Sequence, residues 1–170
     1  DVTSSTVIDG VVVTAGQADG ASAATQSGGG MYCDGRGSGN ACSPTLRNVI
    51  FTGNAAPGAG RTNGRGGALY THGPDRGQSS PAITNSTVTG NEANLHGGAV
   101  YNQSVNSGTS NPQVTNVTFT DNVAGGSNGD GGAIFNSGGN STPSVTNTIL
   151  WCYSAQETGY EIYNASNGAG

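Results

Sequence analysis

The sequence predicts an all-β fold, a right-handed parallel β-helix (solenoid) of about five coils. Three observations support this prediction: a motif that recurs at near-constant spacing, apolar residues that fall into columns when the repeats are aligned, and the lack of a helical apolar period. The chain has 170 residues, a length that fits one domain. We therefore expect a single β-helix domain over residues 1–170, as a fragment of a longer chain.

The repeat consists of two kinds of segment that alternate along the chain. The first kind opens with Pro, and its copies are Pro44–Asn54, Pro81–Asn91, Pro112–Asn122 and Pro143–Tyr153, with a degenerate copy at Ile8–Thr14. The second kind is a Gly-led block, and its copies are Gly29–Tyr32, Gly67–Tyr70, Gly98–Tyr101, Gly132–Phe135 and Gly159–Tyr163. Successive Pro segments start 37, 31 and 31 positions apart. The predicted coils cover, in approximate bounds, residues 6–43, 44–80, 81–111, 112–142 and 143–170.

Stacking the repeats places apolar residues in three inward-facing columns. A unit of about 31 residues with about three short strands suits one coil of a solenoid, in which neighbouring coils bury each other's apolar surface. The columns are Ile8, Leu46, Ile83, Val114 and Val145; Val13, Phe51, Val88, Phe119 and Leu150; and Met31, Leu69, Val100, Ile134 and Ile162. Every position is apolar although only 32% of the chain is hydrophobic, which indicates a continuous core. No segment keeps a 3.6-residue apolar period over ten or more positions, so helices are not expected.

Two columns of asparagine and the paired glycines mark the predicted corners between strands. The asparagines are Asn48, Asn85, Asn116 and Asn147 in one column, and Asn54, Asn91 and Asn122 in the other. Asn tolerates left-handed backbone, and stacked Asn amides can hydrogen-bond along a ladder. We interpret these residues as structural. The Gly-Gly pairs are interpreted as tight corners, since Gly28–Gly30 precedes no helix that could bind an anion at its N-terminus.

Charged side chains are scarce, and acidic residues outnumber basic ones. Only 9% of residues are charged, all five basic residues are Arg, and the formal net charge is −5. A nucleic-acid-binding protein needs a basic stripe to displace phosphate counterions, so no nucleic-acid partner is expected. No run approaches the ~20 apolar residues of a membrane-spanning helix, so membrane insertion is not expected either.

The chain contains three cysteines. Cys33 and Cys42 flank a Gly-rich loop and predict a disulfide, which suits an oxidising compartment; two buried free thiols are the alternative. Their spacing is too long for a CxxC redox or zinc motif. Cys152 is left over, either buried or bridging to another chain. Together with Trp151 and Tyr153 it forms an apolar C-terminal segment that is a candidate assembly surface.

The repeats resemble those of bacterial right-handed parallel β-helix proteins. The likeness is carried by Thr115–Asn122 (Thr-Asn-Val-Thr-Phe-Thr-Asp-Asn) and by Gly131–Asn136 (Gly-Gly-Ala-Ile-Phe-Asn), and it is echoed in the other coils. That group includes large exported surface proteins and the polymorphic outer-membrane protein family. The last copy departs from the pattern, with Cys152 and Tyr153 in place of the Gly-Asn corner. The resemblance implies the fold and an exported, extracellular or cell-surface location, but no particular activity, because the repeat is architectural.

No residue pattern makes a convincing catalytic site. A calcium-dependent polysaccharide lyase needs several converging acids, and a glycosidase needs two facing carboxylates. Glu92, Asp121 and Asp130 lie on neighbouring loops and are candidates for a weak calcium site, the alternative being a solvated loop edge. His72 and His96 are interpreted as surface histidines in loops, without a Ser or Cys partner. We therefore expect no catalytic residue, no bound metal and no cofactor.

One aromatic residue per coil follows the third apolar column. These residues are Tyr32, Tyr70, Tyr101, Phe135 and Tyr163. Because side chains alternate across a strand, we expect the rings to face outward, where a stacked row could hold the sugar rings of a glycan. Two alternatives stay open: the rings stack on one another and stabilise the sheet, or the strand is inverted and the rings fill the core.

The leading functional hypothesis is an extracellular structural or adhesive module, in the form of a fibre or filament element that self-associates through its coil ends. One alternative is a carbohydrate-binding module that uses the aromatic row as a surface ladder. Another is a non-catalytic part of a polysaccharide lyase or hydrolase. Loss of glycan retention after replacing Tyr70 and Tyr101 by alanine, without unfolding, would favour the carbohydrate-binding module, whereas clustered acids in flanking sequence would favour the enzyme.

Overall fold

A computed structural model describes residues 1–58, 63–151, 154–155 and 161–165. In this part of the chain the regular structure is almost entirely β. The strands in chain order are β1 (Val7–Asp9), β2 (Val12–Thr14), β3 (Met31–Asp34), β4 (Thr45–Arg47), β5 (Ile50–Thr52), β6 (Ala55–Ala56), β7 (Leu69–Gly73), β8 (Ala82–Thr89), β9 (Glu92–Ala93), β10 (Val100–Ser104), β11 (Gln113–Thr120), β12 (Val123–Ala124), β13 (Ile134–Ser137), β14 (Ser144–Thr146), β15 (Ile149–Trp151), β16 (Ser154–Ala155) and β17 (Ile162–Asn164). A short 3₁₀-helix covers Ala24–Gln26. Among the described residues, no helix has both the length and the apolar character needed to cross a membrane.

The strands form three parallel sheets, in which each pairing joins a strand to its counterpart in the next repeat. The large sheet contains β1, β4, β8, β11 and β14, together with β2, β5 and β15. The aromatic sheet has the order β3-β7-β10-β13-β17, and the short sheet has the order β6-β9-β12-β16. In the large sheet, Ile83 pairs with Leu46 on one side and with Val114 on the other. The fold is therefore all-β with parallel sheets, which is compatible with a β-helix.

The three predicted apolar columns are confirmed by the strand register and by the packing. Each column follows the parallel pairing from repeat to repeat, and all of its members belong to one apolar cluster. Members in the middle repeats are buried, whereas those in the first and last described repeats are half-buried because only one neighbouring repeat covers them. Phe51 and Phe119 are the largest of the fully buried side chains. Burial of such a side chain stabilises the fold by about 1.5–3 kcal/mol.

The first asparagine column bends the backbone within the large sheet. Asn48, Asn85, Asn116 and Asn147 have φ values of 52°, 49°, 56° and 50°, in the left-handed region that Asn tolerates better than most residues. In β8 and β11 this asparagine lies inside one continuous strand. The predicted corner between two separate strands is therefore a bend within a single sheet in these repeats.

The second asparagine column forms the predicted ladder, and the ladder is buried. Asn54 Nδ2 donates to Asn91 Oδ1 at 2.9 Å, and Asn91 Nδ2 donates to Asn122 Oδ1 at 2.9 Å. The backbone N–H groups of Asn54 and Asn91 donate to the same two amide oxygens at 3.1 Å. The exposed fraction of these residues is 1%, 1% and 0%. Each amide therefore satisfies polar groups that water cannot reach, and an unsatisfied group there would cost about 1–3 kcal/mol.

The short sheet was not predicted from the sequence. Its inward residues are Ala56, Ala93, Ala124 and Ala155, which are buried and paired in register. The first three follow the ladder asparagines by two positions. Strands of two residues are too short to show the apolar alternation that identifies a strand, so only the recurring Asn-x-Ala spacing could have revealed them.

The Gly-Gly corners combine a left-handed turn with a close approach of neighbouring repeats, as the corner before β10 shows. Gly97 has a φ of +65°, and a Cβ atom on Gly98 would lie 2.3 Å from the backbone oxygen of Gly132 in the next repeat. Neither position accepts a side chain without movement of the backbone. The interpretation of these pairs as tight corners is confirmed.

Candidate functional site

The aromatic sheet carries a row of rings on the face opposite its apolar core residues. This row, called the aromatic column below, consists of Tyr32, Tyr70, Tyr101, Phe135 and Tyr163. Successive ring centroids are 5.0, 5.1, 5.1 and 5.1 Å apart. Leu69, Val100 and Ile134 point to the main core from the same strands, and the rings form a second, separate apolar cluster.

The middle of the aromatic column is buried, as the alternative of rings stacked on one another requires. Tyr70, Tyr101 and Phe135 are only 5%, 3% and 5% exposed, whereas Tyr32 and Tyr163 at the two ends are half-buried. The rings do lie on the outer side of the sheet, as strand alternation requires, but they cover one another and are covered by neighbouring side chains. A sugar ring needs an open aromatic face. The buried middle of the column instead stabilises the sheet, and an aromatic pair contributes about 0.5–1.5 kcal/mol beyond its buried area.

Two histidines pack against the aromatic column, so the interpretation of them as surface loop residues is wrong. His72 lies in β7, where its buried ring stacks on Tyr70 with centroids 5.3 Å apart. His96 is half-buried just before a Gly-Gly corner, and its ring stacks on Phe135 with centroids 4.2 Å apart. The position of His72 could have been foreseen, because it is two residues after Tyr70 and residues i and i+2 share a strand face.

Burial disfavours the charged forms of the two imidazoles and of the buried phenols. Desolvation lowers the pKa of His96 to about 4, although Asp130 Oδ2 lies 3.7 Å from His96 Nδ1 and acts in the opposite direction. Desolvation also lowers the pKa of His72. Burial raises the pKa of Tyr32 to about 12 and raises the pKa of Tyr70 as well. The column is therefore an electrically neutral assembly between its flanking carboxylates.

The groups around His72 do not form the proton relay of a catalytic triad. Tyr32 Oη lies 3.0 Å from His72 Nδ1, and Asp34 Oδ1 lies 3.6 Å from the same nitrogen. A catalytic triad uses both ring nitrogens, one facing the nucleophile and the other facing the carboxylate. Here both oxygens face Nδ1, so they compete for one nitrogen. This arrangement orients the imidazole over the column.

Polar side chains also seal the outer surface of the column. The Tyr70 hydroxyl donates a hydrogen bond to Gln103 Oε1. The guanidinium carbon of Arg65 lies 5.6 Å from the centre of the Tyr101 ring, a distance at which a cation is attracted to the face of the ring. Gln103 thereby provides the Tyr70 hydroxyl with a hydrogen-bond partner, and Arg65 covers the face of the Tyr101 ring.

A second polar ladder runs along the inner face of the aromatic sheet, and the sequence interpretation missed it. Thr71 Oγ1 donates to Asn102 Oδ1 at 2.6 Å, Asn102 Nδ2 donates to Asn136 Oδ1 at 2.8 Å, and Asn136 Nδ2 donates to Asn164 Oδ1 at 2.7 Å. The signal was present, because an asparagine directly follows the aromatic residue in three repeats. The register places Cys33 beside Thr71 in this column.

The remaining candidate residues lie at separate places. Cys33 and Cys42 are joined by a buried disulfide. Trp151 ends β15 and is 61% exposed, while Cys152 and Tyr153, the other candidates for assembly, lie outside the described residues.

The candidate calcium ligands do not form a cation site. Glu92 and Asp121 are exposed, whereas Asp130 is buried beside His96. Asp130 is thus not the solvated loop residue that the sequence suggested, because it is buried next to the His96 ring. Within the described ranges there is no group of three or more His, Cys, Asp or Glu residues that could hold a metal ion.

Two stretches of the chain, residues 48–72 and 116–137, match the family model of the Chlamydia polymorphic membrane protein repeat. Each match begins at an asparagine bend of the large sheet and continues through the Asn ladder into the aromatic sheet. Comparisons with curated proteins and with solved structures found no match. In these two repeats the chain is therefore similar to a repeat from a family of surface-exposed, outer-membrane-type proteins, which is consistent with a location at the cell surface.

Proposed function

We propose that residues 1–170 form a single right-handed parallel β-helix that acts as a structural or adhesive element of an exported cell-surface protein. The observation that carries this proposal is the unbroken parallel register, in which strands of all three sheets pair with their counterparts in the next repeat. The similarity of two repeats to the polymorphic membrane protein repeat supports the surface location.

A rod-like spacer follows from the way the repeats are filled. Three apolar columns and two amide ladders occupy the inner faces of the sheets, so each repeat buries its surface against its neighbours rather than around a ligand. Parallel strands lie ~4.8 Å apart, so five coils extend the rod by about 24 Å. The neutral ladders and the disulfide stiffen this rod without the need for charged pairs.

The location can be tested on cells that produce the native protein. An antibody against the folded chain should stain intact cells, and protease added outside intact cells should remove the stain. Staining that appears only after the cells are permeabilised would contradict a surface location. A periplasmic or cytoplasmic protein of known location provides the control for cell integrity.

Self-association is a further part of the proposal. β15 carries two exposed large apolar side chains, Ile149 (62% exposed) and Trp151 (61% exposed). A second copy that pairs along the edge of this sheet would cover them and continue the parallel register, since open sheet edges favour such pairing.

Light scattering and electron microscopy, with and without reductant, test the assembly. Stacked subunits or filaments are expected, and Trp151→Ser should weaken them. Ile50→Ser is the matched control, because Ile50 is exposed on β5 within the same sheet but away from β15. A monomer at every concentration, or equal effects of the two substitutions, would refute assembly through this end.

A further inference from the structure

A small pocket lies beside the first rings of the aromatic column. Its volume is about 150 Å³, and the small side chains of segment 23–27 form one wall. The other walls are lined by Tyr32, Arg36, Arg65, Tyr70, His72 and Gln103. We propose that this pocket binds a small carboxylate between its two arginines.

The charge of the pocket differs from that of the whole chain. The chain has a formal net charge of −5 and only five basic residues, yet two of these, Arg36 and Arg65, line this one pocket. None of the acidic residues that the structure describes lines it. His72 adds no charge at neutral pH because burial lowers its pKa. An anion is therefore attracted to this site in a protein whose overall charge repels it.

The pairing of Arg36 sets the charge of the ligand. Arg36 Nε lies 3.7 Å from Asp34 Oδ2, and both side chains are partly exposed. This carboxylate offsets one of the two guanidinium charges and leaves the pocket with an excess near one positive charge. A carboxylate monoanion balances that excess, whereas a phosphate dianion would leave an uncompensated negative charge.

Arg65 provides a hydrogen-bond donor that the described protein atoms leave unused. Its Nε atom is buried and has no hydrogen-bond partner among the described residues. Its Nη1 atom donates to Asn63 Oδ1 at 3.3 Å, and its guanidinium is fixed over the Tyr101 ring. Buried donors are nearly always satisfied in native proteins. This donor is closed off from solvent, so a carboxylate would reach it only after a small shift of the Arg65 side chain.

The geometry of the donors and the size of the pocket both suit a carboxylate. The planar guanidinium group presents its N–H donors in a fork that matches two carboxylate oxygens. A liquid water molecule occupies ~30 Å³, so the pocket has room for about five waters. Such a space accepts a free small acid such as acetate, or the acidic group of a sugar acid such as galacturonate.

Titration calorimetry or NMR shift titration of the folded chain tests the proposal with four probes. Acetate and galacturonate represent the two sources of a carboxylate, galactose is the uncharged analogue, and inorganic phosphate is the competing anion. Arg36→Gln and Arg65→Gln each remove one charge from the pocket. Arg47→Gln is the matched control, because Arg47 lies on β4 of the large sheet and pairs with Asp9 instead.

We expect at least one carboxylate to bind in the millimolar range, and each pocket variant to weaken it at least tenfold, while Arg47→Gln leaves it unchanged. Binding of galacturonate but not acetate would identify a sugar acid as the source, and comparable binding of both would identify the carboxylate group itself. Arg36 is exposed, so Arg36→Gln tests the site even if Arg65→Gln impairs folding, which circular dichroism would reveal. Equal binding in all variants, tighter binding of phosphate, equal binding of galactose, or no binding by the unmodified chain would overturn the proposal.

Discussion

Replacement of Asn91 by alanine tests whether the buried amide ladder stabilises the stack of repeats. Asn91 Oδ1 accepts hydrogen bonds from the backbone N–H and the side-chain Nδ2 of Asn54, and Asn91 Nδ2 donates to Asn122 Oδ1. Asn91 Nδ2 also donates to the backbone oxygens of Phe51 and Thr89, each at 3.1 Å. Alanine removes all of these bonds and leaves the Asn54 N–H buried without this acceptor. At about 0.5–1.5 kcal/mol for each lost bond, one of them leaving an unsatisfied donor, the expected loss is about 3 kcal/mol or more.

Equilibrium unfolding in urea measures this loss as a shift of the midpoint at unchanged slope. Asn85→Gly is the matched control, because Asn85 is exposed and occupies a left-handed bend that Gly adopts without strain. The control is expected to change the free energy of unfolding by less than about 1 kcal/mol. A loss for Asn91→Ala no larger than that of the control would refute the reasoning that the ladder stabilises the fold.

Three further predictions concern acid, reductant and the corners. The folded-state pKa of His96 is about 4, whereas its ordinary value is about 6.5. The contribution of His96 to stability is therefore complete above pH 6.5 and falls by about 3 kcal/mol as the pH drops to 4. In His96→Phe the urea midpoint should depend less on pH over this range, and an unchanged pH dependence would contradict the prediction. The cysteines of the Cys33–Cys42 disulfide are 9 positions apart, and its reduction should lower the free energy of unfolding by about 2.7 kcal/mol in the chain-entropy model. The melting temperature should therefore fall when reductant is added to the unmodified chain. The Cys33→Ala/Cys42→Ala double variant should show no such shift. Gly98→Ala places a Cβ 2.3 Å from a neighbouring backbone oxygen and should lower the melting temperature strongly, whereas Gly125→Ala, with its nearest contact at 3.4 Å, should be tolerated; equal effects would show that the corner is not tight.

The sequence identified the core because repetition allows each position to be compared with its counterparts. Ile83 by itself is an ordinary apolar residue, but its alignment with Leu46 and Val114 predicts a shared column, and the strand register confirms it. The Asn54 column was predictable for the same reason. The short sheet escaped detection because Ala56 and its counterparts are small residues in strands too short to show a period.

The cover over the aromatic column could not be predicted, for a different reason. Strand alternation correctly places Tyr101 on the side of the sheet opposite Val100, but it does not say what covers that side. Arg65 and His96 come from the segments that precede the aromatic sheet strands, and their contacts with the rings depend on loop conformation. Sequence periodicity carries no information about loops, so the exposure of the rings and the burial of His96 could not be derived from it.

The pairing of each strand with its counterpart also determines where the chain can change in length. The spacing from ladder asparagine to corner glycine is 13 positions between Asn54 and Gly67 but 7 between Asn91 and Gly98, and this difference accounts for the longer spacing between the Pro segments that begin at Pro44 and Pro81. Register is kept on both sides of this variable segment. Each repeat thus consists of paired strands, in which stacking constrains every residue, and of a connecting segment whose length can change. Foreign peptides inserted at this position in successive repeats would follow one another at the spacing of the paired strands.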